Sequence, residues 1–221
     1  MNEPEVFVLA DRALARVVAQ VRDDQWETVL PATFATRHRP EPPSLWTLVN
    51  YHAYDDAWVP DMLAGRTMQE AGADKFDGDL LGDDPSANFE AIVERACTAA
   101  AAVRDLDAVA HLSFRDYSVR EYFWQINQFR GLRAHDIAQV IGVEAALPAA
   151  LVYGMWDEVS PHAEEWRAMG VFPAVRPGPR RRATARPPAR ADRAAAGRVV
   201  GRLLRARVSR RAGPARRAAG A

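Results

Sequence analysis

Few side chains here could bind a metal, move a proton or form a covalent bond. There are five histidines, at 38, 52, 111, 135 and 162, and one cysteine, Cys97. A single thiol excludes an intramolecular disulfide and any zinc site built from several cysteines. No serine, histidine and acid fall in a recognisable arrangement, so a hydrolytic triad has no support. Gly78 and Gly82 lie in an acidic stretch that would repel phosphate, so they are not a phosphate loop. His52 and His135 read as partly exposed or hydrogen-bonded helix residues. His38, in Arg-His-Arg, reads as a solvated loop residue, and His111 belongs to a short extended segment. His162 follows Pro161 near a helix break. Asp55 and Asp56 have the chemistry of a general base or a metal ligand, although adjacent acids on a helix more often face solvent. Cys97 reads as a small core side chain.

The elements that position these residues follow from apolar spacing. Val6, Leu9 or Ala10, Leu14, Val17, Val18 and Val21 form one stripe at helical spacing and predict a helix over about 5–21. A second helix is expected from about 44 to 64, ending at Gly65. Thr67-Met-Gln-Glu70 is a capping-box pattern that starts a short turn. The stretch Phe76-Asp-Gly-Asp-Leu-Leu-Gly-Asp-Asp-Pro85 predicts a structured loop. Asp84-Pro85 then starts a third helix running to about Val103. Ser118-Val-Arg-Glu121 is a second capping box. It opens a fourth helix to Gly142, with Tyr122, Ile126, Phe129, Arg133, Ile137 and Val140 as its inward stripe. A fifth helix is expected over about 147–169, carrying Leu151, Met155, Val159 and Trp166, with Pro161 placed to interrupt it. Only 111–114 looks strand-like, so the fold class is all-α.

The charge is divided along the chain. Of 221 residues, 29 are basic and 29 acidic, and the balance hides two opposite segments. From Arg176 onward fifteen arginines face one acid, Asp192, so that segment carries +14 and residues 1–175 carry −14. The last 46 residues, rich in Arg, Ala and Pro, have too little apolar periodicity to fold alone, and a disordered tail is expected over 176–221. All the dominant residue types there have GC-rich codons, as a frameshifted reading of GC-rich DNA would produce. Nucleic acid is an expected partner only through this basic tail.

Five segments carry a resemblance, in chain order. They are Val59-Pro-Asp-Met-Leu-Ala-Gly-Arg-Thr67, the 76–85 loop, Val109-Ala-His-Leu-Ser-Phe114, Arg120-Glu-Tyr-Phe-Trp124 and His135-Asp-Ile-Ala-Gln-Val-Ile-Gly142. Over residues 1–175 the chain resembles the actinobacterial family related to mycothiol-dependent maleylpyruvate isomerase, within the DinB-like superfamily. The resemblance implies an antiparallel four-helix bundle with an extra C-terminal helix. It also implies a divalent metal of the zinc or nickel class, held by three side chains from two helices and supporting a thiol-dependent isomerase or transferase. Mycothiol is the cofactor it suggests.

The residues depart from that family's ligand pattern. Leu48-Val49-Asn50 is followed by Tyr51 where the family has a histidine. In the fourth helix Phe129 and Arg133 stand where a carboxylate or histidine and a second histidine are expected, four residues apart on one face. Neither phenylalanine nor arginine is a metal ligand. His52 and His135 are the fallback ligands, displaced by one and two positions, or about 100° and 200° around a helix. Tyr51, Asp55, Phe129 and Arg133 are expected to face the interior and line a pocket. The aromatic set Tyr51, Tyr54, Trp58, Tyr122, Phe123, Trp124 and Phe129 is expected to be mainly core. Arg133, on an otherwise apolar stripe, needs a counter-charge, and Asp55 is the expected partner.

Two functions follow. One is divalent metal binding in support of thiol-dependent chemistry; the other is a non-catalytic ligand-binding or scaffolding bundle without metal. The expected partners are a small-molecule or thiol ligand and a second copy of the chain, with no membrane. With an acidic N-terminus and one cysteine, the expected location is cytoplasmic.

The tail generates a test. Truncation after Val175 is expected to leave the thermal midpoint unchanged, as followed by circular dichroism. A drop of several degrees, about 1 kcal/mol or more at this size, would show a packed tail.

Overall fold

The computed structural model describes residues 1–34 and 40–168. His38 and the 176–221 tail lie outside the described residues, as does the side chain of Trp166. The chain is mostly helical. In order, the elements are α1 (Glu3–Val18), α2 (Leu45–Leu63), α3 (Met68–Ala71), α4 (Pro85–Ala102), β1 (Val109–His111), β2 (Asp116–Ser118), α5 (Val119–Ile141), α6 (Ala149–Val159) and α7 (Ala163–Ala168). Among the described residues no helix is long and apolar enough to cross a membrane.

Each long helix starts where its capping residue dictates. Asn2 and Glu5 exchange hydrogen bonds of 3.0 Å to each other's backbone N–H groups and start α1. Ser44 caps α2 by accepting from the Thr47 N–H at 3.2 Å. Asp84 caps α4 with Pro85 in its first turn. Both capping boxes read from the sequence form: Thr67 with Glu70 opens α3, and Ser118 with Glu121 opens α5. Gly142 ends α5 at φ 76°, a left-handed conformation that glycine adopts without steric cost.

Four helices share one core. α1 packs along both α4 and α5, and α2 packs along α4, which leaves α2–α5 as the looser side of the group. Phe7, Leu14, Val49, Val59, Phe89, Val93, Phe123 and Ile137 are fully enclosed between them. α6 lies against α1 at Gly154, where a Cβ would stand 2.6 Å from Val6 Cγ2, so only glycine permits this approach. The segment after α6 turns into a 3-10 helix, Ser160–His162, at Pro161, as its missing N–H requires.

Two elements differ from their sequence reading. The strand-like segment is a two-strand antiparallel hairpin that pairs Val109 with Ser118 and His111 with Asp116, and it begins earlier than 111–114. Its local pattern was too short to show the pairing partner. The inward face of α5 is also rotated. Val119, Phe123, Asn127, Arg130, Ala134, Ile137 and Ile141 point inward, whereas Phe129 is 44% exposed. Choosing the face by apolar identity alone passed over Asn127 and Arg130, which are buried because they have partners.

Candidate functional site

The same rotation brings charge into the core. On α2 the inward residues include Val49, His52, Asp56 and Val59, while Tyr51 is 48% exposed and Asp55 is half-buried. On α1, Asp11 follows Ala10 on the inward face and has no exposed surface. On α5, Arg130 is 1% exposed. Three helices therefore contribute one ionisable group each to a single buried point.

There the Arg130 guanidinium is held by Asp56. Its Nε donates to Asp56 Oδ1 at 2.8 Å, its Nη2 donates to the same oxygen, and its Nη1 donates to the Ile126 carbonyl at 3.3 Å. Asp11 Oδ1 stands 3.4 Å from Arg130 Nε. From the other side, the Cys97 thiol donates to Asp11 Oδ2 at a sulfur contact of 4.0 Å. The Arg130 group also lies 5.3 Å from the Phe7 ring centre, within reach of a cation–π attraction.

One cation and two carboxyls cannot all be charged in such a place at low cost. Burial, then the charge of Asp56, holds the Asp11 carboxyl well above the ordinary carboxylate range, against the pull of Arg130. Burial raises Asp56 too, but its hydrogen-bonded contact with Arg130 works the other way. Asp11 is therefore the carboxyl that keeps its proton, leaving Asp56 and Arg130 as a charge-balanced pair. A retained proton also supplies a donor that this carboxyl pair lacks, since Asp11 Oδ1 and Asp56 Oδ2 have no protein donor. Burial opposes the Arg130 charge, yet the charge of Asp56, the largest opposing influence, holds the guanidinium above its ordinary value.

His52 lies close by, 4% exposed, and neither ring nitrogen has a hydrogen-bond partner. Burial, then the positive charges of Arg133 and Arg130, push it well below the usual imidazole value, so the ring is neutral. His135 is half-buried on α5, and its Nε2 also has no partner. Burial raises the Tyr122 phenol as well as the Cys97 thiol. A raised thiol is a poor nucleophile, so Cys97 is a packing residue as expected from the sequence.

The expected pocket of Tyr51, Asp55, Phe129 and Arg133 does not assemble in the interior. Tyr51 and Phe129 stand at the surface. Arg133 packs over the Phe34 ring at 5.0 Å and reaches Asp136 at 3.8 Å rather than Asp55. The residue that needed a buried counter-charge is Arg130, and it is matched by Asp56, not Asp55. Asp11 is not singled out by its spacing, and the Asp55-Asp56 pair reads as surface, because acids on an amphipathic helix normally face solvent. The available signal was Asn127 and Arg130 at i and i+3 between Phe123 and Ala134. Of the aromatic set, Trp58, Tyr122 and Phe123 are core, and Tyr54 and Trp124 are half-buried. His111 pairs with Asp116 at 2.8 Å across the hairpin, and His162 packs at 5.7 Å from the Trp124 ring.

A metal of the kind the resemblance implies needs three donor side chains together. Among the described residues no three His, Cys, Asp or Glu side chains are grouped to hold an ion. The donor set at Tyr51, Phe129 and Arg133 does not fit one. Comparison with family models, with curated proteins and with solved structures returns no match.

Two outcomes follow from this geometry. Arg130→Met should lose about 3–5 kcal/mol in urea unfolding, because it strands a buried carboxylate. Arg133→Gln should lose no more than about 1 kcal/mol. The second outcome concerns Asp55, whose carboxyl is pushed up to about 6, first by burial and against the pull of Arg130. The folded chain then keeps a proton that the unfolded chain releases near pH 4, so stability falls as pH rises from about 4 to 6. Asp55→Asn should be more stable than the parent above pH 7, by up to about 3 kcal/mol. The two should converge below about pH 3, as read from thermal melts from there to pH 7.

Proposed function

We propose that the chain is a DinB-like bundle of the mycothiol-dependent maleylpyruvate isomerase-like kind in which a buried arginine stands in place of a metal. Its role is then non-catalytic: it binds a ligand or acts as a scaffold. One observation carries this reading. Arg130 sits between Asp56 of α2 and Asp11 of α1, so the centre of the helix group already contains a cation with its counter-charge. A divalent ion added beside Arg130 would meet a like charge and a carboxylate already committed to the guanidinium. The exposure of Tyr51 and Phe129 agrees with this, since two of the three positions that the resemblance assigns to metal ligands have turned away from the core.

A second reading has its own observation. His52 is neutral, buried and unpartnered at both ring nitrogens, which is the state a metal-binding imidazole requires. With His135 and a third donor it would restore a divalent metal site, and a thiol cofactor such as mycothiol would complete an isomerase or transferase.

Metal content separates the two. The full chain, purified without chelator and measured by plasma mass spectrometry, is expected to carry far less than one zinc or nickel per chain. A near-stoichiometric ion that disappears in His52→Ala or His135→Ala would overturn the metal-free reading and restore the metalloenzyme.

A further inference from the structure

A cleft of about 290 Å³ opens at the C-terminal end of α2, well along the helix from Tyr51 and His52. Its apolar walls include Pro60 and Phe76, and Phe76 is itself fixed edge-on against the buried Trp58 ring, 5.0 Å between centres. Arg66, Lys75 and Arg95 converge on it from three separate parts of the chain. This is an unusual gathering for residues 1–175, whose net charge is −14, and Lys75 is the single lysine of the chain.

The charges of the cleft do not balance. Asp61, 2% exposed, accepts from Lys75 Nζ at 2.8 Å and pairs with Arg66, so one carboxylate serves two cations. Arg95 is exposed and, among the described residues, has no ion-pair partner. Asp56, behind the cleft, is already committed to Arg130. The cleft therefore has an excess of two positive charges beside an apolar wall. Its buried carboxylate acts as a brace for Arg66 and Lys75, whose side chains stay 52% and 39% exposed. Charged donors of this kind bind carboxylates strongly where water is partly excluded. The volume is at the small end of ligand sites, so the occupant must be compact.

We propose that this cleft binds a small organic carboxylate with a compact apolar body: the anionic group at Arg95 and Lys75, the apolar part against Phe76 and Pro60. This rests on the ligand-binding reading above and names its ligand class. It assigns Arg95 and Lys75 as the specificity-determining cations.

Titration calorimetry of the full chain at low ionic strength, with benzoate as the probe, tests it. Benzoate should bind saturably, and benzamide, which has the same shape without the charge, should bind at least tenfold more weakly. Inorganic phosphate, which has the charge without the apolar body, should also bind more weakly. Arg95→Gln and Lys75→Gln should each weaken benzoate at least tenfold, while Arg104→Gln, an exposed arginine away from the cleft, should not. No saturable binding, phosphate binding as tightly as benzoate, or an affinity unchanged in Arg95→Gln would each overturn the proposal. The last result would assign anion binding to the arginines after residue 175. The two readings fail separately: a bound metal with benzoate binding intact refutes the metal-free interior alone, and absent benzoate binding in a metal-free protein refutes the cleft alone.

Discussion

A guanidinium removed from water must keep its counter-charge, and that requirement organises this protein. Arg130 has 1% of its surface exposed and is held by Asp56 with Asp11 alongside. The desolvation cost of such a group is several kcal/mol, and it is offset only while both carboxyls stay in reach. Three helices are thereby tied in a defined rotation. Turning α5 by one residue would carry Arg130 away from both acids and bring Phe129 inward. Apolar burial alone would favour that rotation, and the ion cluster opposes it.

The neighbouring features depend on this arrangement. With α5 set by Arg130, Asn127 comes to the start of α1, where its Nδ2 donates to the Glu3 carbonyl at 3.1 Å and to Glu158 at 2.8 Å. Gly131 then lies under Met155 of α6, where a Cβ would come within 2.5 Å of the sulfur. The polar and small residues of one turn of α5 thus seat α1 and α6 together. On α2 the corresponding rotation encloses His52 and Asp56 and leaves Tyr51 outside. A core built on apolar contacts would tolerate slippage; a core with a matched charge at its centre has fewer alternatives.

Electrostatics also separate the two ends of α2. Toward its middle, one cation is matched and sealed. At its C-terminal end, Asp61 is shared by Lys75 and Arg66, and Arg95 adds a third positive charge within the same cleft. The first arrangement is closed to solvent and serves cohesion. The second faces solvent with charge to spare, which suits it to recognise a ligand.

Helix positions and starts were legible in the amino-acid order because they depend on neighbours along the chain. The Asp84-Pro85 start, the two capping boxes, the stop at Gly142 and the break at Pro161 are all local, and each forms where its residues require. The apolar part of the α1 interior was legible for the same reason, since Val6, Leu14 and Val17 repeat at helical spacing, whereas Asp11 on that face was not. The face that α5 turns inward was not legible. Phe129 and Arg130 differ by about 100° around the helix, and hydrophobicity ranks them in the wrong order. Only the approach of Asp11 and Asp56, which lie 119 and 74 residues away in the chain, makes Arg130 the better interior residue. The cleft at Arg66, Lys75 and Arg95 has the same origin. Nothing in their spacing relates them: Asp61 of α2 gathers Arg66 and Lys75, and the packing of α2 against α4 brings Arg95 to the same cleft. Local hydrogen bonding and backbone stereochemistry decide where a helix begins and ends, but the burial of charge is a property of what lies across from it, and that exists only in the folded chain.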